Sequence, residues 1–299
     1  MKTASVKKKI KVSTPTSSGA CAIVVLFHPD AAFGCRLQKI LTQFSSVILV
    51  DNTPKGAALT NLPSSVKVLR NDRNLGIAAA LNQGVDLAIE KGHEWVATFD
   101  QDSEILPGYL EDVVSISARR TPTPVLVGCN YLHDGDTKVA HRAPHQVTDA
   151  WVRQTLITSG TFMPACFARE IGGFREDYFI DSVDHEFCLR AHRHGAEILM
   201  TVQPFMRHRM GNAGTSLFGL TLSLQHQATR RYYLARNTIL TLRQHGTTYP
   251  FWAARQIFRL IGEGFAIAFI ESDKAPKICA FTRGLWHGLI GRSGPLERI

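Results

Sequence analysis

Trp95–Asp102, WVATFDQD, decides how the rest of this chain reads. An apolar run rich in β-branched and aromatic residues has the make-up of a buried strand, and it stops at two carboxylates, Asp100 and Asp102, one residue apart. At the carboxyl end of a strand in an α/β sheet, paired acids suit a hard divalent cation and the phosphates it bridges. The competing reading of Asp100 and Asp102 is a solvated turn ahead of a helix beginning near Pro107.

Upstream of that stretch, strand-like and helix-like segments alternate. Ala22–Phe27 reads as strand, Ala31–Phe44 as helix, Val47–Asp51 and Val66–Arg70 as strands, and Ile77–Lys91 as helix. Such alternation predicts an α/β fold with a Rossmann-like, mostly parallel sheet flanked by helices. Three strands end in polar groups: His28, Pro29 and Asp30 after the first, Asp51 and Asn52 after the second, Asp100 and Asp102 after the last. Right-handed crossovers bring such ends to one edge, where they can line a cleft. In NDRNLGIAAALNQG, residues 71–84, Gly76 and three alanines allow close backbone approach, and the helix start with Arg73 could accept a diphosphate. Close packing of the helix on the sheet would use the same small residues. The chain has no G-x-G-x-x-G or Walker pattern, which argues against ordinary NAD or P-loop chemistry.

Composition sets the frame. The 299 residues are 44% apolar and 20% charged, enough for a large folded core. The formal charge is +9, and thirteen Arg or Lys against four acids from Gln203 onward account for all of it. Nucleic acid is the first partner such a charge suggests. The tail, however, interleaves its arginines with Phe251, Trp252, Phe258, Ile261, Phe265 and Phe269, a pattern better suited to an anionic membrane surface than to nucleic acid. A buried helix would carry the same apolar residues. The longest uncharged apolar piece there, residues 264–270, is far shorter than the roughly 20 residues a span requires. Residues 1–20 read as a flexible basic arm with lysines but no following apolar run of a secretory signal. Six cysteines lack C-x-x-C spacing and read as reduced core thiols, pointing to a cytoplasmic protein, peripheral on the inner membrane face if the tail binds lipid.

The motifs VVLFHPD, ILVDN, NDRNLGIAAALNQG and TFDQDS, in this order, resemble the nucleotide-sugar half of inverting family-2-type glycosyltransferases with the GT-A fold, and FDQDS resembles their bacterial rhamnosyltransferase branch. The resemblance covers about residues 22–211. It implies that His28, Pro29 and Asp51 face the nucleotide base, that Arg73 and Asp100 serve the donor phosphates, and that Asp102, with Asp100, holds Mg²⁺ or Mn²⁺. It further implies a GT-A catalytic domain over residues 21–215, with a donor half to 105 and an acceptor half from 106, followed by a helical, basic segment over 216–299.

A second acidic group lies in YFIDSVDHEFCLR, residues 178–190. Asp184 stands where a helix would begin, Glu186 and Arg190 are spaced to pair along it, and a partly desolvated carboxylate there could take a proton from an acceptor hydroxyl. In the family an acid six residues before an Arg is the catalytic base, which selects Asp184, with Asp181 and Glu186 as the other candidates. The segment around Gly160 lines the acceptor site in relatives; the turn glycines Gly172 and Gly173 need only chain reversal to explain them. His208 could complete the metal or diphosphate site as a neutral imidazole, or be a surface histidine among arginines. In RRYYLARN, residues 230–237, Arg230, Arg231 and Arg236 are candidates near the acceptor and donor phosphates.

The implied reaction is a single displacement that moves L-rhamnose from dTDP-L-rhamnose to a glycan or lipid-linked saccharide in cell-surface polysaccharide or lipopolysaccharide synthesis. A UDP-sugar donor is the nearest alternative. A nucleotidyltransferase should show a Gly-rich basic loop after its first strand, and FHPDAAFGCR is not one. A non-catalytic basic membrane-binding protein would not need Asp51, Asp100, Asp102 and Asp184 at segment ends.

Overall fold

The computed structural model describes residues 12–133, 138–208, 215–217, 220–223 and 227–296. The chain divides into two compact units, residues 1–75, 79–174 and 187–209 in one and 76–78, 175–186 and 210–299 in the other.

In chain order the elements to residue 208 are β1 (Ala20–Leu26), α1 (Phe33–Leu41), β2 (Val47–Asp51), β3 (Val66–Arg70), α2 (Ile77–Glu90), β4 (Trp95–Asp100), β5 (Glu104–Ile105), α3 (Tyr109–Ala118), β6 (Val125–His133), β7 (Ala150–Val152), β8 (Thr161–Pro164), α4 (Ala165–Glu170), α5 (Val183–Arg193) and β9 (Glu197–His208). The strands form one sheet in the order β3-β2-β1-β4-β8-β6-β9-β5, with β7 on β9. The β3-β2-β1-β4 half is parallel, as the alternating pattern predicts. Beyond it the sheet is mixed: β8 runs antiparallel to both β4 and β6, and β5 and β7 run antiparallel to β9. No crossover helix separates β4 from β5, so periodicity could not announce this second half.

Every residue of β2 is buried, and so is β1 except Val25, because both sheet faces of these strands are covered; that is why they read as continuous apolar runs rather than alternating ones. Helix α1 buries Phe33, Leu37 and Ile40 at helical spacing, and Trp95 stacks on Phe162 with ring centroids 5.0 Å apart. The described part of the N-terminal arm is held in place: the Trp95 indole donates to Ser13 O at 3.2 Å and Pro15 is buried. Residues 1–11 of that arm lie outside the described residues. Of the six cysteines expected in the core, Cys21, Cys129 and Cys188 are buried, whereas Cys35, Cys166 and Cys279 sit on helices facing outward.

The second unit holds the short hairpin β10 (Thr215–Leu217) and β11 (Leu220–Ser223), then α6 (Ala228–His245), α7 (Pro250–Phe269) and α8 (Lys274–Ile290). Helix α8 lies so close to α6 that a Cβ at Gly284 would stand 2.4 Å from Tyr232 O. Arg231 is fully buried and donates to Glu263 and Glu271, while Lys277 Nζ lies 3.0 Å from Glu271. Two cations thus offset two carboxylates inside the helical unit. Among the described residues no helix is long and apolar enough to cross a membrane.

Candidate functional site

Register places the polar strand ends together. Leu26 of β1 lies opposite Asp51 of β2, and Val25 lies opposite Asp100 of β4. Gln101 locks this edge: its amide accepts from Phe27 N at 2.7 Å and donates to Phe27 O at 3.0 Å, while Arg36 Nε donates to Gln101 O at 2.8 Å. The residue between the two aspartates therefore ties the end of β4 to the end of β1, a role that the Asp-x-Asp pattern does not reveal.

Beside this edge lies a cavity of about 510 Å³, lined by His28, Pro29, Thr53, Gly56 and Ala57 among others, within the size range of small-ligand sites. His28 has a left-handed backbone (φ 50°), and its N–H donates to Thr53 Oγ1 at 2.9 Å. Asp51 is completely buried behind the cavity wall; its carboxylate accepts from Thr53 N at 2.9 Å and Ala57 N at 2.6 Å. Asp51 thus shapes the 52–57 loop from behind, whereas His28 and Pro29 line the cavity. Arg73 is exposed in the loop after β3.

At the end of β4, one ligand atom each from Asp100, Asp102 and His208 lie within 4.8 Å of one another. His208 reaches this point because β9 runs through the sheet to its last residue, and β5 pairs with it at Glu104↔Arg207. Ser103 Oγ lies 2.8 Å from His208 Nδ1, and Ser159 Oγ lies 2.7 Å from Ser103 Oγ. Asp100 N donates to Ser159 Oγ at 3.1 Å. When Nδ1–H donates to Ser103, Nε2 keeps its lone pair for a cation, the usual arrangement behind a ligating imidazole. Two carboxylate oxygens and an imidazole nitrogen fit a divalent ion, Mn²⁺ better than Mg²⁺ because of the nitrogen. Gly160, in the chain that carries Ser159, has φ 75°, and a Cβ there would stand 2.4 Å from Cys129 Sγ. Its absent side chain lets the segment pass beneath the cluster.

In the second unit, residues 177–181 are held by their backbone. Asn237 Nδ2 donates to the carbonyls of Tyr178, Ile180 and Asp181 at 2.9, 2.7 and 2.9 Å, and Arg236 donates to Asp177 O and Tyr178 O at 3.0 and 3.2 Å. These bonds support a segment in which Phe179, Asp181 and Ser182 have left-handed φ (66°, 62° and 60°), the kind of strain that clusters at functional sites. Helix α5 begins at Val183, so Asp184 stands in its first turn and not at the cap position; it is half-buried, and Oδ1 accepts from His185 N at 2.8 Å. Asp181 accepts from Arg230 Nε at 3.3 Å; burial pushes its carboxyl pKa up, against the pull of Arg230. Glu186 is fully buried 3.4 Å from His245 Nε2.

The arginines of residues 230–237 therefore divide by environment. Arg230 meets Asp181, whereas Arg231 and Arg236 are buried, Arg231 between two glutamates and Arg236 on backbone carbonyls. Their type and spacing carried no sign of this, because a buried and an exposed arginine look alike in sequence.

Residues 37–178 match the family model Glycosyl transferase family 2. The chain is 27% identical over 267 residues to the dTDP-rhamnosyl transferase RfbF of Shigella flexneri, covering 84% of this chain and 89% of the relative. Similar solved structures are S. aureus TarS 1–349, with TM-score 0.50, 14% identity and 91% of each chain covered, and GalNAc-T7 crystallised with UDP, GalNAc and Mn²⁺, with TM-score 0.55 and 14% identity. The match takes in 75% of this chain and 47% of the GalNAc-T7 chain, so this protein spans about half the length of that neighbour. The family match over residues 37–178, the extended relative and the shared GT-A architecture agree with a strand-end acidic cluster: this chain is a glycosyltransferase that resembles family 2 over those residues.

Proposed function

We propose that the enzyme transfers L-rhamnose from dTDP-L-rhamnose, with inversion, to a hydroxyl of a glycan or lipid-linked saccharide during cell-surface polysaccharide synthesis. The Asp100–Asp102–His208 cluster at the end of β4, with a cavity lined by His28 and Pro29 just past the end of neighbouring β1, carries the nucleotide-sugar reading, and the resemblance to RfbF supplies the donor. The nucleotide base would occupy the cavity, with Arg73 serving the diphosphate. Asp100, Asp102 and His208 would hold Mn²⁺ or Mg²⁺. A cation held there would offset negative charge on the departing diphosphate.

Asp184 is the base in this reading. The acceptor oxygen forms its bond to the anomeric carbon as the bond to the nucleotide diphosphate breaks; the acceptor proton passes to the Asp184 carboxylate, and the bonding electrons leave with dTDP. Half-burial leaves Asp184 reachable, while Glu186 is closed off against His245.

The test is a donor panel of dTDP-L-rhamnose, UDP-glucose, UDP-galactose and GDP-mannose, each with Mn²⁺, Mg²⁺ or EDTA. Metal-dependent binding and hydrolysis of dTDP-L-rhamnose is expected; preference for a UDP-sugar would discard the donor and keep the fold. Asp184→Asn should abolish transfer while dTDP-L-rhamnose binding survives, and undiminished transfer would remove Asp184 from the role.

A further inference from the structure

Helix α7 carries more apolar surface than its packing uses. Trp252, Gln256, Leu260, Ala266 and Ile267 face inward and make up its buried stripe. A second stripe faces solvent: Phe251 (88% exposed), Phe258 (74%), Ile261 (60%), Phe265 (63%) and Phe269 (67%). At about 100° of rotation per residue these five fall within an arc of roughly 80°, on the side of the helix away from Leu260. Phe265 and Phe269 touch, with ring centroids 4.5 Å apart. Arg255 and Arg259, both exposed, lie along one border of the stripe. Single exposed apolar residues are ordinary on protein surfaces, but a run of four phenylalanines and an isoleucine over a 20-residue helix is not.

We propose that this outer stripe of α7 docks on an anionic lipid surface, with the helix lying in the interface plane, the phenylalanines entering the acyl boundary and Arg255 and Arg259 meeting headgroup phosphates. Charge selects this occupant over a second copy of the chain. The only acid in α7 is Glu263, and it accepts from buried Arg231. The residues from Gln203 onward carry thirteen Arg or Lys against four acids, so two copies meeting through this segment would oppose like net charges. An anionic bilayer answers that net positive charge and takes up the rings, the pattern of interfacial helices. The helix lies in the interface and does not span it, for no helix among the described residues is apolar enough to cross. Sequence alone left the tail's apolar residues divided between core and membrane; the structure assigns Trp252, Leu260 and Ile267 to the core and the phenylalanine stripe to the outside.

The experiment is co-flotation of the full chain with vesicles of phosphatidylcholine containing 30% phosphatidylglycerol, and with pure phosphatidylcholine, alongside sedimentation velocity without lipid. The wild type should float with the anionic vesicles and sediment as the same species as Phe258→Ser/Phe265→Ser. That variant, and Arg255→Glu/Arg259→Glu, should each lose at least tenfold in vesicle affinity while keeping circular dichroism and nucleotide-sugar binding. Wild-type binding that is absent, or equal on both vesicles, would overturn the proposal. So would a dimer that dissociates in Phe258→Ser/Phe265→Ser, since the stripe would then face a second copy.

Discussion

Replacing Arg231 by methionine tests whether that guanidinium is structural. Its side chain is fully buried, Glu271 is fully buried, and Glu263 is 24% exposed. The cluster as it stands sums to zero, Arg231 and Lys277 against Glu263 and Glu271. Methionine fills much of the same volume but leaves one negative charge in excess inside the helical unit. Removing one partner of a buried pair costs about 3–5 kcal/mol. Two features place this site at the lower end: Lys277 stays 3.0 Å from Glu271, and Glu263 can turn toward water. The expected loss is therefore about 3 kcal/mol. Urea unfolding at pH 7, followed by far-ultraviolet circular dichroism and by tryptophan emission, measures it, and both probes are needed because two units need not melt together. Arg231→Lys keeps the charge but not the two-pronged geometry and should lose less. A loss under about 1 kcal/mol in Arg231→Met, the range of exposed pairs, would refute the reasoning. Preserved stability with lost transfer would instead return Arg231 to the acceptor site.

Ser103→Ala should weaken Mn²⁺ binding about 10–100-fold, read by electron paramagnetic resonance of free Mn²⁺, because His208 loses the hydroxyl bonded to its Nδ1 that holds the ring in place; unchanged affinity would show that the serine does not orient the ring. Gly160→Ala should cost about 2–4 kcal/mol from left-handed strain and the Cys129 clash, and adding Cys129→Ala should restore only the part due to the clash. Asp181 has a raised carboxyl pKa, so its neutral form is the one folding favours, and its contribution is complete below the unfolded value and declines as pH rises through the folded one. Asp181→Asn should therefore gain in melting temperature relative to wild type at pH 7, with the gain shrinking toward pH 3; a pH-independent difference would mean that the carboxyl titrates normally.

Local patterns determined much of this protein by themselves. Val47–Asp51 and Trp95–Asp100 begin and end as the apolar runs do, because a strand buried on both faces must be apolar along its whole length and its first charge marks its end. Asp100 and Asp102 were legible as a candidate metal site for that reason, as were the fold class and the family that the motif order resembles. Other features depended on partners distant in the chain. Gln101 bonds across 74 residues to Phe27, and Ser103 lies 105 residues from His208; neither spacing leaves a periodic trace. The antiparallel insertion of β8 beside β4 follows from pairing and not from composition. The carboxylates Asp184 and Glu186 are two residues apart in one helix, yet one is half-buried and the other sealed against His245. Successive helical positions turn by about 100°, so burial of neighbours is set by what packs on each face, and only the tertiary structure supplies those faces.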